Sequence, residues 1–152
     1  MGPESVTVRV SGLTALPKAA RKRALIAAAV RAAFALEKSK RRGDIGVIFI
    51  SRAEMRSLNR QYLGHESDTD VITFEHDRFP GVPAAEQPIG DIFISGWMAA
   101  RSARELGHSP LREALTLAAH GALHLLGHDD HAPRAKARMF RRQDEVLAAL
   151  GA

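Results

Sequence analysis

Residues 118–133 read AAHGALHLLGHDDHAP, and the rest of the chain is best read outward from them. Four of the chain's seven histidines and two aspartates fall inside an alanine- and leucine-rich run. His120 and His124 stand four apart, which on a helix puts both rings on one face, about one turn apart. Two imidazoles so placed can reach one ion at about 2.0–2.1 Å, the zinc–nitrogen distance. Gly127 ends the helix and permits a sharp turn back toward that ion. The spacing His-x-x-x-His-x-x-Gly-x-x-ligand is that of zinc hydrolases whose third ligand follows a glycine turn. Ten residues on from His120 stands Asp130, with His131 next and His128 and Asp129 in the same turn. Zinc proteases carry a glutamate general base directly after the first histidine. That position is Gly121 here, so a protease reading lacks its base.

The histidine pair lies on a long helix, LREALTLAAHGALHLLG, and Pro133 opens a last amphipathic helix, RAKARMFRRQDEVLAAL. Upstream, SVTVRVSG alternates as a first strand ending at Gly12. Pro17 opens a helical pattern that runs through KAARKRALIAAAVRAAFALE. DIGVIFIS is β-branched and reads as a buried strand, and Ser51 with Glu54 forms a capping box for the helix RAEMRSLNRQYLG. DVITF and GDIFIS are two further short strands, Asp91 serving as a turn residue before the second. The Pro- and Gly-containing loop EHDRFPGVPAAEQPI joins them. A helix follows from Trp97 and breaks between Gly107 and Pro110. This order predicts an α+β fold, a small, mostly four-stranded sheet packed with about five helices. A metal-dependent hydrolase-like site is expected at the end of the long helix, and residues 1–152 are expected to form a single domain.

Composition narrows the partners. With no cysteine, neither disulfides nor thiolate metal sites are available. No segment approaches the roughly 20 apolar residues needed to cross a bilayer, and no secretory signal is visible, so a cytoplasmic protein is expected. The net charge is +5, and the basic residues cluster near Lys18, from Lys38 to Arg42 and from Arg134 to Arg142. Single clusters are often solvated helix faces; three in a small chain favour a polyanion such as RNA.

HGALHLLGHDD (120–130), with LNRQYLGHESDTDVITF (58–74) and GDIFIS (90–95), resembles the YbeY family of metal-dependent endoribonucleases, also called rRNA maturation factors. The resemblance implies an α+β domain holding one zinc-like ion per chain between three side chains. It implies cleavage of single-stranded RNA in rRNA maturation at the 16S 3′ end, and in ribosome quality control. The expected partners are single-stranded RNA, rRNA and the small ribosomal subunit, with no membrane and no DNA. Carried over residue by residue, His120, His124 and Asp130 are the metal ligands and catalytic residues, with His131 the alternative third ligand. The family usually has histidine in the third-ligand column; the gapless register puts Asp130 there and His128 in a tyrosine column. Leu63 stands where the family has an arginine associated with RNA cleavage. His65, Thr69, Asp70, Arg134 and Arg138 are assigned to RNA binding or the cleft, while Asp129 and His131 flank the third ligand. Two rival readings are a non-catalytic ribosome- or RNA-binding factor with a structural zinc and a zinc metalloprotease.

Overall fold

The computed structural model describes residues 6–151. In chain order the elements are β1 (Val6–Ser11), α1 (Arg23–Leu36), β2 (Gly43–Ile50), α2 (Arg52–Tyr62), β3 (Val71–Glu75), β4 (Pro88–Ser95), α3 (Gly96–Leu106), α4 (Pro110–Leu125) and α5 (Pro133–Ala149). The sheet order is β1-β2-β4-β3. β1, β2 and β4 run parallel, and β3 is antiparallel to β4. The expected α+β fold is present, with four strands and five α-helices among the described residues.

Alternation in the strands sorts the two faces of the sheet. Val10, Val47, Ile92 and Thr73 are paired in one row across it. The first three of these are buried, together with Ile45, Phe49 and Ile94. Against this face lies α4, whose Ala114, Ala118, Ala119, Ala122 and Leu123 are fully buried at 0% exposure. A helix apolar around most of its circumference belongs in the centre of a fold, and α4 packs against α1, α3, α5, β3 and β4. Small residues let it come close. A Cβ built on Gly121 would stand 2.4 Å from Ile92 Cγ2. On the opposite face α2 packs its buried Met55, and Tyr62, Phe74 and Phe93 form two edge-to-face ring contacts.

Three readings from the sequence require correction. The helix expected from Pro17 begins at Arg23, because residues 18–20 form a separate 3-10 turn. Ala20 is fully buried there and the turn packs against α4, while the Arg21 guanidinium donates to the carbonyls of Leu16 and Thr14. Tertiary docking thus overrides a continuous helical pattern. β4 starts at Pro88, two residues before the expected strand, with proline tolerated at the first position. Asp91 consequently lies inside β4 and is no turn residue. The first strand is described from Val6, so Ser5 lies outside the described residues.

Gly121→Val should lower stability by about 1–3 kcal/mol, the usual cost of forcing extra carbons into a packed contact. Urea unfolding followed by circular dichroism measures this; an unchanged midpoint would contradict the close seating of α4 on Ile92.

Candidate metal centre and cleft

Ser109 begins α4 by accepting the Arg112 backbone N–H on its hydroxyl, and Pro110 occupies the first turn. Sixteen residues later the helix closes in a Schellman motif. The His128 N–H donates to Leu123 O and the Gly127 N–H to His124 O, with Gly127 at φ +98°. This left-handed glycine reverses the chain within one residue of the helix end. It brings Asp130 back alongside the last turn.

There, His120 Nε2 and His124 Nε2 each lie 3.6 Å from Asp130 Oδ2. One ligand atom from each of the three side chains lies within 4.8 Å of the other two. Tetrahedral coordination at about 2.0–2.1 Å would separate donors by about 3.3 Å, so these groups are near the spacing an ion needs. His120 Nδ1 is 2.9 Å from Gln143 Oε1 on α5. With that oxygen accepting from Nδ1–H, Nε2 keeps its lone pair toward Asp130, the usual way a ligand imidazole is oriented. Burial, and next the neighbouring His120, push the His124 pKa below its ordinary value, against the pull of Asp130. Both effects favour the neutral ring that a metal requires.

The neighbours in the turn do other work. His128, in the tyrosine column, has Nε2 2.8 Å from Glu37 Oε1, and Arg142 Nε lies 2.9 Å from Glu37 Oε2. This three-way contact ties the turn to the end of α1 and to α5. Asp129 Oδ1 accepts the His131 backbone N–H. The His131 ring is 91% exposed, with its Nε2 3.8 Å from Asp129. Asp129, Asp130 and His131 also offer atoms within 4.8 Å of one another, but two of the three are exposed.

Beside His120 a cleft of about 260 Å³ runs back toward the start of α4. Asp70, His108, Glu113, Phe140 and Gln143 are among its lining residues. Asp70 is therefore a cleft residue. Thr69 instead orders the preceding loop, its hydroxyl accepting from Asn59 Nδ2 2.7 Å away. Asp68 pins the same loop to α2: hydrogen bonds from Arg52 and then Arg56 hold its carboxyl far below the usual carboxylate range. Leu63 ends α2 and is exposed, and His65 is exposed with Nδ1 2.8 Å from Ser67 Oγ. Neither lines the cleft beside His120. Arg134 is exposed in the first turn of α5. Arg138 lines a different hollow, with Glu37, His128 and Asp129. Asp91 sits on the opposite face of the sheet, 2.9 Å from His76 Nε2.

Sequence reasoning missed Gln143, Glu113 and Glu37. Gln143 was visible as a polar interruption in the buried stripe Met139, Gln143, Val146, Leu147 of α5. Glu113 stands seven residues before His120, hence on the same face of α4. The pairing of Glu37 with His128 spans 91 residues and has no local signal.

His128→Ala should cost about 1–3 kcal/mol, because it strips a hydrogen bond from a partly buried carboxylate. His131→Ala, at an exposed site, should stay within about 0.5 kcal/mol of the unaltered chain. Paired urea titrations measure both, and equal losses would contradict the division of roles between the two histidines.

The sequence profile of the family described as Endoribonuclease YbeY matches residues 14–151. A protein named Endoribonuclease YbeY from Elusimicrobium minutum is 39% identical over 134 residues, covering 88% of this chain and 92% of its own length. A protein of the same name from Chloroflexus aurantiacus is 37% identical over 132 residues, covering 84% and 86%. The solution structure of a Thermotoga maritima protein shares the fold, with a TM-score of 0.60 over 95% of this chain and 89% of the other, at 24% identity. Profile and relatives span the helix pair, the glycine turn and the strands beneath them, and on that ground this chain belongs to the YbeY family.

Proposed function

We propose that the chain is a metal-dependent endoribonuclease that cleaves single-stranded RNA in rRNA maturation and ribosome quality control. The observation that carries the metal-dependent part is the convergence of His120 Nε2, His124 Nε2 and Asp130 Oδ2, beside a cleft that His120 lines. The RNA part rests on family membership and on relatives named as endoribonucleases.

The donor set suits a zinc-type ion: two imidazole nitrogens, one of them oriented by Gln143, and one carboxylate oxygen. When bound, such an ion supplies Lewis acidity toward a phosphoryl oxygen and lowers the pKa of coordinated water toward about 7. The chain's own residues do the rest. Gln143 keeps the His120 tautomer fixed, and the Gly127 turn holds Asp130 in place through the Glu37–His128 contact. Phe140 stands beside His120 with ring centroids 6.2 Å apart, and Lys136 lies 5.9 Å from the Phe140 ring. Together they offer an aromatic surface and a cation to an unpaired strand. The protease alternative is disfavoured by position 121. Its side-chain direction is into Ile92, so this helix has no room there for a glutamate base.

An ion held by His120, His124 and Asp130 alone would keep a coordination position free of protein, which favours an enzyme over a factor with a closed structural ion. The expected home is the cytoplasm with the small ribosomal subunit; no helix among the described residues is long and apolar enough to cross a membrane.

His120→Ala, His124→Ala and Asp130→Ala should each lose stoichiometric metal by elemental analysis, while His131→Ala should retain it. Loss in His131→Ala with retention in Asp130→Ala would move the third ligand one residue on. Cleavage of a single-stranded RNA should stop with chelator and return with zinc, and a duplex of the same sequence should resist. Binding should weaken as salt rises. Unimpaired RNA cleavage in chelator would overturn the metal-dependent reading.

A further inference from the structure

The metal-binding reading leaves the other end of the cleft unused. Glu113 lines it, two turns before His120 and so about 10.5 Å away along the helix axis. This carboxyl-bearing residue is 6% exposed. Among the described residues its carboxyl has no hydrogen-bond partner, and the influences on it are burial and the charges of His108, Asp70 and Arg112. Burial raises its pKa most; His108 opposes this, Asp70 adds to it and Arg112 opposes. An acid in the first turn of a helix is favourable when exposed to water. Here the side chain is largely covered while its carboxyl opens onto a cleft with no protein partner, which leaves an acceptor available to a ligand.

We propose that this cleft is a nucleobase pocket in which Glu113, with Asp70 on the same wall, accepts a hydrogen bond from the exocyclic amine of a base close to the cleavage site. The proposal rests on the RNA-cleavage reading above. A volume of about 260 Å³ is just under the range of small-molecule sites, about 300–1,000 Å³, and suits a single base better than a duplex. The walls are of two kinds. Leu106, Leu117 and the partly exposed Phe140 offer apolar and stacking surface. Asp70, Glu113 and Asp144 offer carboxyls.

Carboxylates repel phosphates, so the occupant of this wall is not the RNA backbone. Arg112 and His108, which line the same cleft, are suited to that part. Carboxyls accept well from base amines, as in acidic side-chain contacts to cytosine N4. Adenine N6 and guanine N2 present the same donor. Uracil has no amine and would set carbonyl oxygens against carboxyl oxygens. A second metal site is a poorer reading of the same residues. Among the described residues the groups whose ligand atoms converge within 4.8 Å are those around Asp130, and neither includes Glu113, Asp70 or His108.

The test uses the full chain supplied with zinc and short uridine oligonucleotides carrying one adenosine or one purine riboside, which lacks only the amine. Cleavage sites and rates are mapped, and binding of the same RNAs is followed by fluorescence anisotropy. The unaltered chain should cut at a fixed offset from adenosine, with about tenfold or greater preference over purine riboside. Glu113→Met, which keeps the length of the side chain and removes both acceptor oxygens, should bring that ratio to about one and improve relative use of all-uridine RNA. A purely structural role for Glu113 would change stability and leave the ratio intact. Equal use of adenosine and purine riboside by the unaltered chain overturns the proposal, as does a ratio that survives Glu113→Met. Should that variant fail to fold, the comparison of the two oligonucleotides on the unaltered chain decides alone. Absence of cleavage on every RNA would remove the nuclease reading, and the anisotropy ratio would still decide whether the pocket reads an amine.

Discussion

The contact between Gly121 and Ile92 sets the rotation of the central helix about its own axis. Successive helical residues are about 100° apart, so turning position 121 into the sheet aims His120 and His124 along the flank that faces α5 and the turn after the helix. Asp70, Glu113 and Gln143 reach the cleft from that flank. The same contact explains why the residue after the first histidine cannot be acidic. A close approach between helix and strand and a glutamate base at that position are sterically incompatible, and this fold uses the close approach.

Charge is distributed less simply than its total suggests. Arg21 donates to backbone carbonyls below α1, Arg41 donates to the Leu125 carbonyl at the end of α4, and Arg142 is held by Glu37 and Glu145. These cations are structural, and the surface available to a polyanion is smaller than the clusters in the sequence imply. Within the candidate centre, a carboxylate beside two imidazoles would leave an ion held there less positive than a third imidazole would. The cleft next to it is carboxyl-rich.

Much of this was legible because periodicity and punctuation are local. Ser51 with Glu54, Gly127 and Pro133 mark element ends as the chain rules predict, and the i, i+4 histidines mark a face. What the residues alone could not show depended on tertiary contacts. Ala20 docks against α4 and breaks a pattern that would otherwise continue as helix. Glu37 meets His128 across most of the chain's length. At the candidate site the histidine pair was visible as a pattern, whereas Gln143 and Glu113 acquire meaning only from what stands opposite them. Leu63 and His65 illustrate the reverse case, since motif position singled them out and both are exposed outside the cleft.

The placement of α4 late in the chain has a consequence for synthesis. The strands carrying Val47, Ile92 and Ile94 emerge from the ribosome before the helix that covers them. Until residue 125 has cleared the exit tunnel, the nascent sheet exposes its apolar face and is prone to aggregate. Closing that face and delivering both histidines is one event, performed by one helix. Asp130 and Gln143 follow with the turn and α5, so the nascent chain covers its sheet first and brings the third carboxylate and the Gln143 contact to the two histidines afterwards.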